Sequence, residues 1–230
     1  HKDWYVGHSW AAGLFPSASG RNQESCSEAA NAWYSLALLG EAAGDGRLRG
    51  LGRLMLATEA RAYRKYWLMG AGSSAEKSPI YPSKFAENGM VAVVWSTKAD
   101  KSTWFGANVE CVLARRRRPP LPLTHPAASH RYVFGIQTMP VTPATELLLA
   151  PEWVEHARSK WAQSDAADEW RAFLVMIDAV VNPDAAWRSA QDLVRYDNGN
   201  SRTNTLHWIA TRGRTDDDDR SDNNDESGDS

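Results

Sequence analysis

The amino-acid sequence predicts a mainly α-helical protein with a small β element near residues 80–95. Apolar residues recur at intervals of three, four and seven over residues 26–39 and 47–68, which is the spacing of one face of a helix. The stretch MVAVVW, residues 90–95, is short and rich in β-branched side chains, as is typical of a buried strand. These observations favour helices packed around a short β structure.

The elements can be placed in order along the chain. Residues 1–23 are rich in Gly, Ser and aromatic residues and predict a loop. The first helix is expected to begin after Ser25 and to end at Gly40. Two later helices carry start signals, with Pro151 as a first helical residue and Asn182 as an N-cap. The later helices are expected at residues 146–149, 151–163, 168–181 and 184–193.

Two segments have unusual compositions. Residues 112–132 contain four consecutive Arg residues and several Pro residues, which predicts an exposed loop that packs as neither helix nor sheet. A basic patch that binds polyanions is the alternative for this segment. Residues 213–230 are strongly acidic and contain no hydrophobic side chain, so they predict a disordered tail.

The overall composition limits the classes of partner. Eleven Trp residues are many for 230 residues. Trp packs in cores, but it also offers a flat apolar surface to sugar rings, so the excess weakly favours a carbohydrate cleft.

Outside the acidic tail the chain is only mildly basic, which argues against nucleic acid as a partner. No apolar run approaches the ~20 residues that cross a bilayer, and Cys26 and Cys111 allow at most one internal disulfide.

Glu24 and Glu28 lie four residues apart in the stretch NQESCSE, where a loop becomes a helix. Side chains at this spacing share one helix face. In a structural interpretation, Ser25 and Glu28 form a capping box, which leaves Glu24 unexplained. In a functional interpretation, Glu24 is a general base at the mouth of a cleft and a third carboxyl group lies across from it, because glycoside hydrolysis needs two carboxyl groups. Spacing alone leaves both interpretations open.

Other chemistry-bearing residues form no recognisable motif. His8, in the stretch GHSW, is either a satisfied loop histidine or a hydrogen-bonding partner for a sugar. The remaining histidines have no metal-ligand spacing, and CxxC, phosphate-binding Gly-rich and Ser-nucleophile motifs are absent. We therefore expect neither a metal ion nor an organic cofactor. The histidines without such spacing are His1, His125, His130, His156 and His207.

Five longer stretches follow one another along the chain. They are HSWAAGL, GRNQESCSEAANAWYSLALLG, VVWSTKADKSTWFGAN, FGIQTMPVTPATELLLAPEWV and DNGNSRTNTLHWI, and together they cover most of residues 3–212. Because these stretches occur in this order, the sequence resembles glycoside hydrolase family 81, the endo-1,3-β-glucanases.

The resemblance implies a fold, a reaction and a site. Residues 1–212 would be the C-terminal part of a catalytic (α/α)6 barrel that hydrolyses internal β-1,3 linkages of laminarin-type or cell-wall glucans with inversion. Glu24 matches the general base of the family, and Glu28 matches a second Glu of the site. A polymeric substrate implies an extracellular or cell-wall location. The substrate-binding residues implied by position are Asp3, His8, Trp10, Asn22 and Gln23, and Trp10 and Trp104 would stack on glucose rings.

The sequence departs from the family pattern in two ways. The general acid of the family is an Asp in a His- and Tyr-rich motif upstream, and neither this motif nor the N-terminal β-sandwich occurs in the chain. We therefore expect a truncated barrel with poor stability on its own. The segment at 112–132 is an insertion relative to the family, either a translated intron or a tolerated surface loop. The alternative function is a non-catalytic β-1,3-glucan-binding protein.

Overall fold

Helices make up most of the structure, as the apolar spacing predicts. The computed structural model describes residues 1–11, 18–70, 80–103, 126–161 and 169–213. The strands are β1 (Asn22–Gln23), β2 (Val93–Trp95) and β3 (Ala99–Asp100). The helices are α1 (Cys26–Ala42), α2 (Gly46–Tyr66), α3 (Ser83–Ala86), α4 (Pro126–Ile136), α5 (Pro151–Trp161), α6 (Arg171–Asp178), α7 (Pro183–Gln191) and α8 (Arg202–Ala210), with a 3-10 helix at Pro143–Leu147.

Most of the predicted helices are confirmed. The two long helices expected first along the chain are α1 and α2, and three of the later ones correspond to α5, α6 and α7. The helix expected at 146–149 is instead the 3-10 helix, which begins earlier. It begins there because Thr142 Oγ1 accepts a hydrogen bond from the backbone N–H of Ala144 at 3.2 Å, while Thr145 Oγ1 accepts one from Thr142 at 3.1 Å. Helix α8 was not predicted.

The prediction that residues 112–132 pack as neither helix nor sheet is wrong for the end of that segment. Helix α4 begins at Pro126 and continues to Ile136. Proline is tolerated at the first helical position because the N–H that it lacks would have no partner within the helix. Residues 112–125, Trp104 and the acidic tail from residue 214 lie outside the described residues.

The predicted β element is confirmed only at its end. Strand β2 pairs antiparallel with β1 on one side and with β3 on the other. In this register Asn22 lies opposite Trp95, and Gln23 lies opposite Val94. Helix α3 lies within residues 80–95 but before the stretch 90–95, for which the strand was expected. The small sheet therefore joins the segment before α1 to the segment after α3.

Helices α1 and α2 approach closely at two glycines. Gly40 does not end α1, which continues to Ala42. A Cβ atom at Gly40 would instead collide with the main chain of Arg49, and one at Gly52 would collide with the main chain of Ala37. Absence of a side chain at these two positions lets the helix backbones come into contact.

The core has two parts. The first lies between the α1–α2 pair, the sheet and α5, and the second lies among α6, α7 and α8. Large side chains fill both parts without exposure to solvent, so the helices around each part bury apolar side chains. The largest in the first part are Tyr63, Trp67, Phe134 and Trp153, and those in the second include Phe173, Met176 and Ile209.

Replacing Gly52 with Ala is expected to destabilise the protein by about 1–3 kcal/mol, because the new Cβ must displace the main chain of α1. Gly50→Ala is the matched control on the same helix, since nothing lies within 4 Å of its Cβ position. That control should be neutral or stabilising by up to about 1 kcal/mol. Urea unfolding followed by far-UV circular dichroism measures both, and equal effects of the two substitutions would contradict the close approach.

Candidate functional site

Glu24 lies at the junction between β1 and α1. The next residue, Ser25, is the N-cap of α1, and its Oγ accepts a hydrogen bond from the backbone N–H of Glu28 at 3.3 Å. In return, the backbone N–H of Ser25 would donate to the Glu28 carboxylate, but this bond is not formed between these two described residues, so only half of the predicted capping box exists. Glu28 is exposed, whereas Glu24 is partly buried with its Oε1 atom shielded from solvent. Capping therefore does not account for the Glu28 side chain.

The main chain around Glu24 is held by a buried glutamine that the sequence analysis missed. Gln137 is fully buried, and its Nε2 donates to the carbonyl oxygens of Glu24 and Ala92, the latter at 2.8 Å. Its Oε1 accepts from the backbone N–H of Cys26 at 3.2 Å. One amide side chain thus fixes the backbone on both sides of Ser25, and it links this corner to the segment that leads into β2.

The last residue of α4 and the loop after it provide further contacts to the same corner. Ser25 Oγ donates to the carbonyl oxygen of Ile136 at 3.0 Å, and Ser27 Oγ donates to the same oxygen at 3.2 Å. Asn31 Nδ2 donates to the carbonyl oxygen of Pro140 at 3.0 Å. The first two turns of α1 are therefore bound to residues more than a hundred positions away in sequence, which restricts movement of Glu24.

Asn22 and Gln23, predicted to bind substrate, are buried in β1. The Asn22 carbonyl accepts from the backbone N–H of Ala11 at 2.9 Å, and Gln23 Nε2 donates to the carbonyl oxygen of Ser25 at 2.6 Å. Gln23 Oε1 is buried with no hydrogen-bond partner among the described residues. Both residues support the main chain at Glu24 from the strand side.

Asp3 and Trp10 form a unit with Arg21. The indole Nε1–H of Trp10 donates to Asp3 Oδ2 at 3.0 Å, and Arg21 pairs with the same oxygen at 3.2 Å. The Arg21 guanidinium lies 4.9 Å from the centre of the Trp10 ring, within cation–π range. The Trp10 hydrogen bond, the backbone N–H groups of Tyr5 and Val6 and the Arg21 charge lower the pKa of Asp3, against the opposing effect of burial.

His8 is enclosed by aromatic rings. It packs edge-to-face against Trp10 and Trp67 at centroid distances of 4.4 and 5.1 Å, and its Nδ1 lies 2.9 Å from the carbonyl oxygen of Ser9. Burial lowers the pKa of His8, because an apolar environment disfavours the charged imidazolium. A neutral His8 therefore contributes packing to this site.

Glu59 on α2 is a fully buried carboxylate that the sequence analysis also missed. Its Oε2 pairs with Lys2 Nζ at 2.9 Å and accepts from Ser9 Oγ at 2.9 Å and Trp33 Nε1 at 3.1 Å. Its Oε1 accepts from the backbone N–H of Ser9 at 2.8 Å. The Cys26 thiol lies 3.5 Å from Oε1, and burial followed by the Glu59 charge raises its pKa well above the usual value. Glu59 therefore joins the N-terminal segment to both long helices.

A cavity of about 570 Å³ opens beside the sheet. Of the predicted site residues, only His8 and Trp10 line it, and both are almost completely buried. Glu24, Glu28 and Asp3 do not line it. Four other lining side chains are half-buried aromatics that were not predicted as site residues, Tyr66, Tyr81, Phe85 and Trp95. The structure thus separates the carboxylate corner at Glu24 from an aromatic cavity.

Two further features do not occur within the described ranges. No group of three His, Cys, Asp or Glu side chains there is placed to hold a metal ion. Among the helices of that same part of the chain, none is both long and apolar enough to span a membrane.

Residues 1–209 match the protein family described as the Glycosyl hydrolase family 81 C-terminal domain. The chain belongs to glycoside hydrolase family 81. The resemblance drawn from the five sequence stretches is therefore confirmed. Glu24, Glu28 and the aromatic cavity all lie within the matched residues.

Named relatives within family 81 agree with this assignment. A glucan endo-1,3-beta-D-glucosidase of Glycine max is 32% identical over 219 residues, which are 91% of this chain and 29% of the relative. A protein of the same name from Arthroderma benhamiae is 31% identical, over 90% of this chain and 21% of the relative. A solved structure of a family 81 glycoside hydrolase from Clostridium thermocellum superposes with a TM-score of 0.70 at 29% identity, over 91% of this chain and 26% of that one. The chain spans less than a third of the length of these relatives.

Replacing Glu59 with Gln is expected to destabilise the protein by about 3–5 kcal/mol, because Lys2 would remain buried without its counter-charge. Glu41→Gln is the control, since Glu41 pairs with Arg49 at an exposed site and should contribute less than about 1 kcal/mol. Chemical unfolding of both variants tests this. A loss no greater at Glu59 than at Glu41 would contradict a central role for the buried carboxylate.

The stability of the protein is expected to fall as the pH drops below about 6.5, the usual pKa of histidine. Because the pKa of His8 is lowered in the folded state, the unfolded chain binds the proton more tightly, and protonation favours unfolding. Asp3, whose pKa is also lowered, adds a loss only below about pH 4. Urea midpoints between pH 8 and pH 5 should decline for the parent protein and decline less for His8→Gln. Parallel profiles for the two would refute the assignment to His8.

Proposed function

We propose that this chain takes part in the endo-hydrolysis of internal β-1,3-glucosidic bonds in laminarin-type or cell-wall glucans. The observation that carries this proposal is the corner at Glu24, where a partly buried carboxylate follows a strand and precedes a capped helix. Membership of family 81 and the names of the relatives support the choice of reaction and substrate.

In the proposed mechanism, Glu24 acts as the general base. Its ionised carboxylate takes a proton from a water molecule, and that water attacks the anomeric carbon on the face opposite the leaving group, so the configuration inverts. The proton that the leaving glycosidic oxygen needs comes from a carboxylic acid roughly 6.5–9.5 Å away, which leaves room for the water. We assign this acid to a part of the protein outside these 230 residues.

The residues around Glu24 have supporting roles in this proposal. Glu28, exposed in the first turn of α1, orients the attacking water. Gln137 holds the carbonyl oxygen of Glu24, and Gln23 holds that of Ser25. A rigid backbone supports catalysis because the base must lie within hydrogen-bonding distance of the water that it activates.

The wider setting of the proposal follows the family. We propose that the helices belong to an (α/α)6 barrel and that the protein acts on an extracellular or cell-wall polysaccharide. The mainly helical architecture and the 0.70 TM-score to a family 81 structure support the barrel. The location rests on the polymeric nature of the substrate alone.

A non-catalytic β-1,3-glucan-binding role is the second candidate. One observation favours it: none of the described residues that line the aromatic cavity is an Asp or a Glu. A binding protein would retain the aromatic walls and need no acid or base. Reducing-sugar release from laminarin by the complete gene product distinguishes the two, because a binding protein releases none.

Replacing Glu24 with Gln in the complete gene product is expected to lower laminarin hydrolysis by at least about 10²–10⁴-fold, since the amide cannot accept the proton from water. Binding of laminarin should remain close to that of the parent protein. Glu41→Gln is the control, because Glu41 is an exposed carboxylate on α1, the helix that follows Glu24, and the hydrolysis rate of this variant should be unchanged. Near-normal turnover by the Glu24 variant would exclude Glu24 as the base.

A further inference from the structure

We propose that Trp95, together with Tyr81 and Phe85, forms a subsite for a neutral glucan chain in the aromatic cavity beside the Glu24 corner. This inference rests on the proposed function for the identity of the ligand. It assigns the stacking surface to side chains other than Trp10, for which stacking was expected. Trp10 is only 4% exposed, whereas Trp95 is half-buried at the cavity wall.

The indole ring of Trp95 is held in place by its own hairpin. Its Nε1–H donates to Asp100 Oδ2 at 2.8 Å. Its backbone N–H donates to the carbonyl oxygen of Lys98 at 2.8 Å, which closes the turn between β2 and β3. Lys98 Nζ pairs with Asp100 Oδ1 at 3.0 Å and lies 5.3 Å from the centre of the indole. The ring is therefore positioned before a ligand arrives, which reduces the entropy lost on binding.

Tyr81 and Phe85 provide a second aromatic surface. Their rings lie 5.3 Å apart at 49°, and the Tyr81 hydroxyl donates to the carbonyl oxygen of Tyr66 at 2.9 Å. Burial raises the pKa of Tyr81 to about 12, so its phenol is neutral at any physiological pH. Aromatic rings fixed in this way present apolar surface to the C–H faces of a pyranose.

The charges at the cavity favour a neutral ligand. Two cations line it, Arg21 and Lys98, and each is paired with a carboxylate that lies outside the lining, Asp3 and Asp100 respectively. The pairing leaves little net positive field to attract an anion. Apolar walls with compensated charges at the edge suit an uncharged sugar, which brings hydroxyl groups for hydrogen bonds and no charge to neutralise.

The sheet register brings this subsite close to Glu24. Trp95 lies opposite Asn22 across the β1–β2 pair, and Glu24 follows two residues later. A strand advances about 3.3 Å per residue and neighbouring strands lie about 5 Å apart, so the Cα atoms of Trp95 and Glu24 are separated by on the order of 8 Å. The aromatic wall and the Glu24 corner are therefore neighbours on the same small sheet, although Glu24 does not line the cavity.

The test measures binding of laminarin oligosaccharides by calorimetry in the complete gene product carrying Glu24→Gln, which prevents turnover of the ligand. Adding Trp95→Ala should weaken binding by about tenfold or more. Adding Trp4→Ala is the matched control, because Trp4 is 61% exposed and does not line the cavity, and binding should change less than about twofold. Equal affinities of the Trp95 and Trp4 variants would overturn the subsite.

Hydroxyl-radical footprinting provides a second test. It uses the Glu24→Gln protein with Trp95, Tyr81 and Phe85 unchanged, so it does not depend on the folding of a cavity variant. Saturating laminarin oligosaccharide should reduce oxidation of Trp95 and Tyr81 and leave oxidation of Trp4 unchanged. Unchanged oxidation of Trp95 would overturn the proposal, as would equally tight binding of an anionic oligogalacturonide. If hydrolysis survives Glu24→Gln, the base assignment fails while the Trp95 result stands, so the two proposals can fail separately.

Discussion

The buried carboxylate of Glu59 is the interaction on which the arrangement of the N-terminal half depends. A charge with no exposure to solvent is costly unless it is paired and hydrogen-bonded. Glu59 meets this requirement only when Lys2 and Ser9 lie against α2 and Trp33 of α1 faces the same point. The first eleven residues contain no helix or extended sheet, so this carboxylate is the main polar anchor that fixes them against the helices. Their position in turn places His8 and Trp10 at the inner wall of the aromatic cavity.

A second polar centre connects that half of the structure to the rest. Gln137 follows α4 and bonds to the main chain at Glu24, at Cys26 and at Ala92. Its own carbonyl oxygen accepts from the Tyr63 hydroxyl of α2 at 3.0 Å. The start of α1, the approach to β2 and the middle of the chain thus meet at one amide. Because β2 also carries Trp95, the carboxylate corner and the aromatic cavity share a common support and are expected to keep a constant separation.

Local signals were sufficient for elements whose partners are near in sequence. Ser25 acts as an N-cap through a residue three positions on, and the apolar spacing of α2 describes a face that is buried whatever covers it. Gln137 gave no such signal, because its bonds run to residues 45 or more positions away. Glu59 offered a partial one: it lies four residues after Met55, on the apolar face of α2, where a charge needs a buried partner. Trp95 appeared in a quoted stretch, but its hydrogen bond to Asp100 depends on a hairpin that the sequence analysis did not predict.

The position of Glu24 and Glu28 also explains why two like charges can remain close together. Like charges four residues apart on one helix face repel by about 0.2–0.5 kcal/mol, but Ser25, between the two, is extended at φ −99° and ψ 93° and leaves Glu24 outside α1. Both lie at the N-terminus of a 17-residue helix, Glu24 just before the cap and Glu28 in the first turn. The positive end of a helix dipole favours a nearby negative charge by typically 0.3–1 kcal/mol, although the backbone N–H groups of Cys26 and Glu28 already donate to Gln137 and Ser25. A helix N-terminus attracts negative charge to this corner without bringing a cation that would occupy the space of the attacking water in the proposed mechanism.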